Sequence, residues 1–313
     1  ILESKGIVIA KAQSGFFVTD DALYLNPNFR SSTKQVIPVN FLNENSSDLN
    51  TNITCYPDKN PFGTAIISSD LIPYRDIAKL VKKVMNEKKI LTRTLSYTEP
   101  KGIRELRSSI SRRYGMRGLS VHLDALIISN GCLDAVSLCL RAVTKPGDSI
   151  AVESPTYYGM LQLLKSLDLN IVEILTDNKQ GLCLDDLEEK FKTRNIKACI
   201  FTANFQNPLG FFMSEKSKMK LVALGDKYQV PLIEDDIFGE CHYGNKPTRP
   251  AKYYDNTGNV MLCSSFSKSV APGFRLGWIV GGSFAEKITD LKKSTNLATS
   301  SIYLSICYAS LFR

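Results

Sequence analysis

From Ser120 onward, short β-rich apolar runs alternate with longer segments of helical periodicity. Strands that alternate with helices in this way form a mostly parallel sheet with helices on both faces. The pattern therefore predicts an α/β fold built on one large sheet. The apolar runs are 126–128, 149–152, 198–201, 230–233, 260–263 and 276–280, and the helical segments are 131–143, 157–167 and 214–228.

The residues before this region have a different character. Two alternating runs, 7–9 and 16–18, flank a short polar stretch with Gly15 near its end, which predicts a β-hairpin. Residues 19–60 are rich in Asn and Pro and are interpreted as a linker. Apolar residues at helical spacing in 69–89 and 101–114 then predict two amphipathic helices.

Composition narrows the functional classes. With 43% hydrophobic and 22% charged residues, the chain is typical of a globular protein. It has no apolar run near the ~20 residues that span a bilayer and no signal peptide, so a cytoplasmic location and no membrane partner are expected. Eight cysteines without a C-x-x-C pair and two histidines argue against a zinc site and for reduced thiols.

The net charge of +8 is concentrated in residues 75–117, which hold thirteen Lys or Arg and four Asp or Glu. Such a segment can attract nucleic acid or anionic ligands, or it can be the solvated face of helices. Both interpretations stay open. The chain opens on Ile1 and closes within a helical pattern at Arg313, so it is expected to be a fragment.

The strongest local motif is the sequence S-S-F-S-K-S from Ser264, followed by G-F-R-L-G-W from Gly273. It presents Lys268 in a hydroxyl-rich turn after a strand, with Arg275 seven residues later. An unprotonated lysine forms a Schiff base with an aldehyde. A guanidinium offers a planar fork to phosphate oxygens, and the hydroxyls of Ser265 and Ser267 can add donors.

This segment resembles the cofactor-lysine region of the class I/II aminotransferases, which are fold type I enzymes that bind pyridoxal 5'-phosphate (PLP). The resemblance covers about residues 60–313 and implies a mostly parallel, mixed sheet of seven-stranded type between helices, a complete cofactor domain and an incomplete C-terminal small domain. It further implies an internal aldimine on Lys268, with Asp235 and Asn207 as the other catalytic residues. Asp235 would pair with the pyridine nitrogen, and Asn207, in N-P-L-G, would donate to the phenolic oxygen.

Other positions match the family in the expected order. The amides of Gly131, Cys132 and Leu133 open a helix directly after a strand and would bind the phosphate, since helix N-termini attract anions. The thiol of Cys132 is interpreted as incidental. Tyr157 matches the aromatic residue that stacks on the cofactor ring, with Tyr158 as the alternative.

Two further positions bear on assembly and on chemistry. Tyr97 lies in a Y-x-x-x-x-G-x-x-x-L-R motif whose tyrosine reaches the phosphate of the partner subunit in the family, which implies a homodimer with a shared active site. The family often has a tyrosine two or three residues after the aspartate, whereas this chain has Ile237 and Phe238. One hydrogen bond to the cofactor is therefore in doubt.

The first residues resemble the wing that ends a GntR-type winged helix-turn-helix domain. A wing at 1–19, a linker at 20–60 and an aminotransferase-like domain at 61–313 is the order found in MocR-type regulators. This resemblance implies a PLP-dependent sensor that binds or transaminates an amino acid or amine, with DNA bound through the missing N-terminal domain. A metabolic aminotransferase without a DNA-binding role remains the alternative. A scaffold that has lost its cofactor is disfavoured, because Lys268, Asp235, Asn207 and Arg275 occur together.

Overall fold

The protein is described by a computed structural model that divides into two compact units, Ile1–Gln35 and Val36–Arg313. In the first unit, strands β1 (Val8–Lys11) and β2 (Gly15–Val18) pair antiparallel, with Lys11 opposite Gly15. This confirms the predicted hairpin, while the linker at 20–60 lies outside the described residues. The structure describes residues 8–11, 15–18, 65–88, 92, 96–244 and 247–297.

Among the described residues, the second unit is built on one mixed sheet of eight strands in the order β3-β10-β9-β8-β7-β4-β5-β6. Strand β10 is antiparallel to both of its neighbours, and the two-residue strand β6 is antiparallel to β5; the other pairings are parallel. The strands are β3 (Leu126–Ser129), β4 (Ser149–Ser154), β5 (Asn170–Asp177), β6 (Gly181–Leu182), β7 (Ile196–Phe201), β8 (Leu232–Asp235), β9 (Val260–Ser265) and β10 (Gly277–Val280).

Helices cover both faces of this sheet and give three layers. One core packs α3, α4 and α7 against residues such as Ile233, and the opposite face packs α2, α5 and α6 against residues such as Leu232. Consecutive residues of a strand point to opposite faces, so a central strand is apolar on both. The helices are α1 (Tyr74–Asn86), α2 (Arg104–Met116), α3 (Cys132–Val143), α4 (Tyr158–Ser166), α5 (Leu184–Thr193), α6 (Glu215–Tyr228) and α7 (Ala285–Thr295).

The predicted α/β fold is confirmed, and each predicted strand and helix of the second unit is present within a few residues. The sequence prediction omitted β5, β6, α5 and α7. Strand β5 is exposed or half-buried over most of its length, so it lacks the continuous apolar run that marks the central strands. With the short β6 at its edge, the sheet has eight strands instead of the seven expected.

Parallel pairing brings the carboxyl ends of β4, β7, β8 and β9 to one edge of the sheet. Strand β3 ends at the same edge, because β3 and β9 are both antiparallel to β10 and so run in the same direction. Ser129 at the end of β3 and Ser265 at the end of β9 both lie opposite Gly277, which opens the antiparallel strand β10. The turns that follow these strands therefore lie close together, as expected for the ligand edge of an open α/β sheet. No helix among the residues that the structure describes combines the length and apolarity needed to cross a bilayer.

Candidate functional site

Lys268 lies in the turn after β9, half-buried at the carboxyl edge of the sheet. Its Nζ donates a hydrogen bond to the carbonyl oxygen of Ala65 at 2.7 Å and lies 5.7 Å from the centre of the Phe238 ring. Burial lowers the pKa of Lys268 below that of a free lysine, although Cys241 and Asp235 act in the opposite direction. A larger fraction of the amine is therefore unprotonated near neutral pH.

Asp235 is the last residue of β8 and faces the same edge. Its Oδ1 accepts hydrogen bonds from the Cys132 thiol at 3.3 Å and from the backbone amide of Ile237 at 3.0 Å. Its Oδ2 has no hydrogen-bond donor among the described residues. Burial raises the pKa of Asp235 to about 6, and Lys268 is close enough to lower it in part. The Cys132 thiol thus contacts the candidate site, and its interpretation as incidental to cofactor binding stays a prediction.

The N-terminus of α3 lies beside Arg275. Gly131 caps the helix with a φ of 102°, and a Cβ there would lie 2.4 Å from a guanidinium nitrogen of Arg275. That guanidinium donates to the carbonyl oxygen of Asn130 at 3.2 Å. Gly277 has no room for a side chain either, since its Cβ would lie 2.5–2.8 Å from the backbone of Gly131. The absence of side chains at Gly131 and Gly277 therefore lets the Arg275 guanidinium lie close to the first backbone amides of α3, which include those of Cys132 and Leu133.

Tyr157 and the two predicted serines complete this edge. Tyr157 is half-buried, and burial raises its pKa to about 12. Tyr158 and the charge of Asp235 raise this pKa further, whereas the charge of Arg275 lowers it. Ser265 and Ser267 are buried, and the Ser265 hydroxyl accepts a hydrogen bond from the amide of Ser267 at 3.3 Å.

Two predicted residues form no hydrogen bond with this group within the described part of the chain. The side chain of Asn207 is half-buried in the loop after β7 and has no hydrogen bond to another described residue. Tyr97 is 87% exposed, so it is not part of the site within one chain. Asn207 stays a prediction for the cofactor's phenolic oxygen, and Tyr97 for the partner subunit's phosphate.

A buried polar network lies directly behind Asp235 and was not predicted. Asp236 accepts two hydrogen bonds from the Arg117 guanidinium, at 2.5 and 3.1 Å, and one from the Asn204 amide at 3.0 Å. Burial disfavours the charged guanidinium, but Asp236 outweighs it and raises the pKa of Arg117. The sequence showed three consecutive carboxylates from Glu234, but no local signal for their distant partners.

A second buried network supports the loop that carries Asn207. The Glu153 carboxylate accepts from the amide of Thr202 at 2.8 Å and from the Gln206 side chain at 3.1 Å. Gln206 also donates to the carbonyl of Pro155 at 2.8 Å and accepts from the amide of Leu209 at 2.9 Å. Burial raises the pKa of Glu153 to about 8. These contacts join the end of β4 to the Asn207 loop.

Two other features bear on ligand classes. A surface cavity of about 580 Å³ lies beside Arg117, and none of the predicted site residues lines it. Within the described ranges, no group of three His, Cys, Asp or Glu side chains could hold a metal ion. The candidate site is therefore the group around Lys268, Asp235 and Arg275.

The donors of this group fit PLP. Lys268 offers an amine of lowered pKa that can react with an aldehyde. The Oδ2 atom of Asp235 accepts no hydrogen bond from the described residues and can pair with a ring nitrogen. The space left at Gly131 puts the Arg275 guanidinium beside a helix N-terminus, which is a favourable environment for a phosphate. The opposite charges and donors of the site thus match the functional groups of the cofactor.

Comparisons with known proteins agree with this geometry. Residues 72–311 match the family model "Aminotransferase class I and II". The uncharacterized HTH-type transcriptional regulator YdcR of Escherichia coli is 38% identical over 96% of this chain and 64% of its own length. Aromatic-amino-acid aminotransferase 1 of Thermococcus litoralis is 32% identical over 74% of this chain and 56% of its own. The chain thus spans less than two thirds of each of these relatives.

A solved structure of an aminotransferase has a similar fold. Kynurenine aminotransferase of Pyrococcus horikoshii, in complex with PMP, superposes with a TM-score of 0.76 at 28% identity, over 87% of this chain and 69% of that one. The fold and family confirm the expected cofactor, PLP, and the regulators among the relatives confirm the resemblance to MocR-type proteins. Family model, fold and site agree, and the chain belongs to the aminotransferase class I and II family.

Proposed function

We propose that this chain is the cofactor-binding sensor part of a transcription regulator, in which an amino acid or amine binds at Lys268. The observation that carries the proposal is the grouping of Lys268, Asp235 and Arg275 at one sheet edge in a chain that is 38% identical to an HTH-type transcriptional regulator. Residues 1–19 would be the wing of a DNA-binding domain, 20–60 a linker and 61–313 the sensor. A cytoplasmic location belongs to this proposal.

When bound, PLP supplies an aldehyde that joins covalently to amines and a ring that withdraws electrons. Lys268 would hold the cofactor through its unprotonated amine, at the position where an amino ligand would also bind. Asp235 would favour a proton on the ring nitrogen by presenting its carboxylate there. The phosphate would be held by Arg275, the first amides of α3 and the hydroxyls of Ser265 and Ser267.

Orientation of the ring falls to residues on either side of it. Tyr157 would stack on the ring, and Asn207 would donate its side-chain N–H to the phenolic oxygen. The high exposure of Tyr97 supports a homodimer in which this residue reaches the phosphate of the partner subunit. The site would then be completed only in the dimer.

The cofactor-binding half of the proposal is tested on Lys268. Purified chain incubated with PLP should absorb in the visible range, and borohydride should fix one cofactor to the peptide that contains Lys268. Lys268→Ala should lose both signals. Lys252→Ala is the control, since Lys252 is a buried lysine whose amine pairs with Asp255 at 2.6 Å, outside the site. An unchanged spectrum in Lys268→Ala would refute the assignment.

A metabolic aminotransferase is the second candidate, favoured by the identity to the Thermococcus litoralis enzyme. In that case the Lys268 amine would also take the proton from the substrate α-carbon. The gene sequence upstream of the Ile1 codon separates the two candidates. About fifty codons with a helix-turn-helix pattern favour the regulator, whereas a start codon close to Ile1 contradicts it.

Turnover gives an independent comparison. The full-length protein should be assayed with amino-acid donors and 2-oxo acid acceptors, and DNA binding should be measured with and without each amine. If the protein is a regulator, its DNA binding should respond to one amino ligand, and its turnover of that ligand should be slow. An aminotransferase predicts steady turnover and no DNA binding.

A further inference from the structure

Asp236 lies at the junction of two segments that the proposed site needs. It directly follows Asp235, and its fully buried carboxylate accepts a hydrogen bond from the Asn204 amide at 3.0 Å. The other contacts of Asp236 come from Arg117, and the Ser264 hydroxyl donates to its backbone carbonyl at 3.0 Å. The position of the Asp236 backbone, and with it that of Asp235, is thus fixed from several sides.

Asn204 stands at the base of the loop that carries Asn207. It forms an isolated antiparallel bridge with Phe212, which closes the loop. Its side-chain oxygen accepts from the buried amine of Lys218 at 2.9 Å, so the orientation of the amide is set and its N–H points to Asp236. Inside the loop, Gln206 accepts from the amide of Leu209 at 2.9 Å and holds the turn around Asn207.

We propose that Asp236 and Asn204 are positioning residues that set the separation between Asp235 and Asn207. This inference rests on the proposed function, in which Asp235 serves the ring nitrogen and Asn207 the phenolic oxygen. These two atoms lie at different positions of one rigid ring, so the two side chains must keep a fixed spacing. Strands β7 and β8 pair through their backbones, and the Asn204–Asp236 hydrogen bond extends that connection into the turns beyond them.

The test is an Asn204→Ala variant of the whole chain, loaded with PLP. Loss of the hydrogen bond should weaken PLP binding about fivefold, which corresponds to roughly 1 kcal/mol for one such bond. It should also shift the pH midpoint of the visible absorbance of bound PLP, because the two ring contacts no longer hold their spacing. If Asn204→Ala does not fold, Asn204→Ser, whose shorter side chain cannot span to Asp236, replaces it with the same expectations.

Asn259→Ala is the matched control, because the Asn259 amide donates one hydrogen bond of 2.9 Å to the carbonyl of Val230, outside the site. It should lose less thermal stability than Asn204→Ala, which also removes an acceptor of the buried Lys218 amine, and should keep the PLP affinity and the pH midpoint of the wild type. Equal affinities and midpoints in wild type, Asn204→Ala and Asn259→Ala would overturn the positioning role alone. A wild-type chain without PLP trapped on Lys268 would instead overturn the proposed function.

Discussion

Asp235 and Asp236 are adjacent in the chain and have opposite surroundings. Asp235 remains partly accessible, and its carboxylate accepts from one thiol and one backbone amide. Asp236 is fully buried and accepts from both arms of Arg117 and from Asn204. A carboxylate whose acceptors are used within the protein serves the fold, whereas one with a free oxygen at a ligand edge is available for binding.

The largest expected effect is a difference in the free energy of unfolding between variants of these two residues. In the PLP-free protein, Asp236→Asn should lower the free energy of unfolding by about 3–5 kcal/mol, because it leaves the buried Arg117 charge without a counter-charge. Asp235→Asn should not lower it, since burial disfavours that charge in the folded protein and raises the pKa of Asp235 to about 6. Urea unfolding at pH 7 measures both. Equal losses in the two variants would contradict the division between structure and binding.

The second prediction concerns the pH dependence of stability. The pKa of Glu153 is about 8 in the folded protein against an ordinary value of 4.5, so the folded form binds more protons between these pH values. Stability therefore falls as pH rises through this window, by roughly 3–5 kcal/mol from this residue. Glu153→Gln should flatten the decline in unfolding experiments between pH 5 and 8.

Glu173→Gln is the control for that experiment. Glu173 is exposed on β5 and lies opposite Val152, the residue before Glu153. Its removal should leave the slope of stability against pH as in the wild type. A Glu153→Gln protein that keeps the full slope would show that Glu153 is ionised in the folded state and that other groups, such as the buried Glu234, cause the decline.

A smaller effect is expected where Gly277 of β10 contacts Gly131, at the start of α3 and the proposed phosphate site. Gly277→Ala would place a Cβ 2.5–2.8 Å from the backbone of Gly131, so the start of α3 must shift. Overpacking of this kind costs about 1–3 kcal/mol, and the affinity for PLP should fall as well. Gly273→Ala has no heavy atom within 4 Å of its Cβ and should behave as the wild type in calorimetry and PLP titration.

The smallest expected effect is at Phe238, whose ring lies beside the Lys268 amine. Phe238→Tyr should give the phenolic oxygen of PLP one more donor and stabilise its anion. The pH midpoint of the visible absorbance should then fall by about half a unit to one unit. Phe284→Tyr, at a partly buried phenylalanine outside the site, should leave the midpoint unchanged. A rise in the Phe238→Tyr midpoint would argue against a role for this position at the phenolic oxygen.

Sequence motifs indicated the candidate residues at the sheet edge, but not the distant residues that hold them in place. Lys268, Asp235 and the glycine before α3 each lie in a short strand-and-turn segment, where a few neighbours suffice to indicate the geometry. Arg117 and Asp236 are 119 residues apart, and their pairing depends on how α2 packs on the sheet. The same holds for the thiol contact of Cys132 with Asp235, since 103 residues separate the two.

The antiparallel direction of β10 has a consequence for how such chains can vary. The segment that leaves β9 carries Lys268 and Arg275 and returns as β10, where Gly277 lies opposite Ser265. It is a hairpin loop whose two ends are anchored next to each other by strand pairing. One inserted residue would have to bulge out of the loop or else turn every side chain of β10 to the other face. The seven-residue spacing from lysine to arginine should therefore tolerate substitutions far better than insertions or deletions.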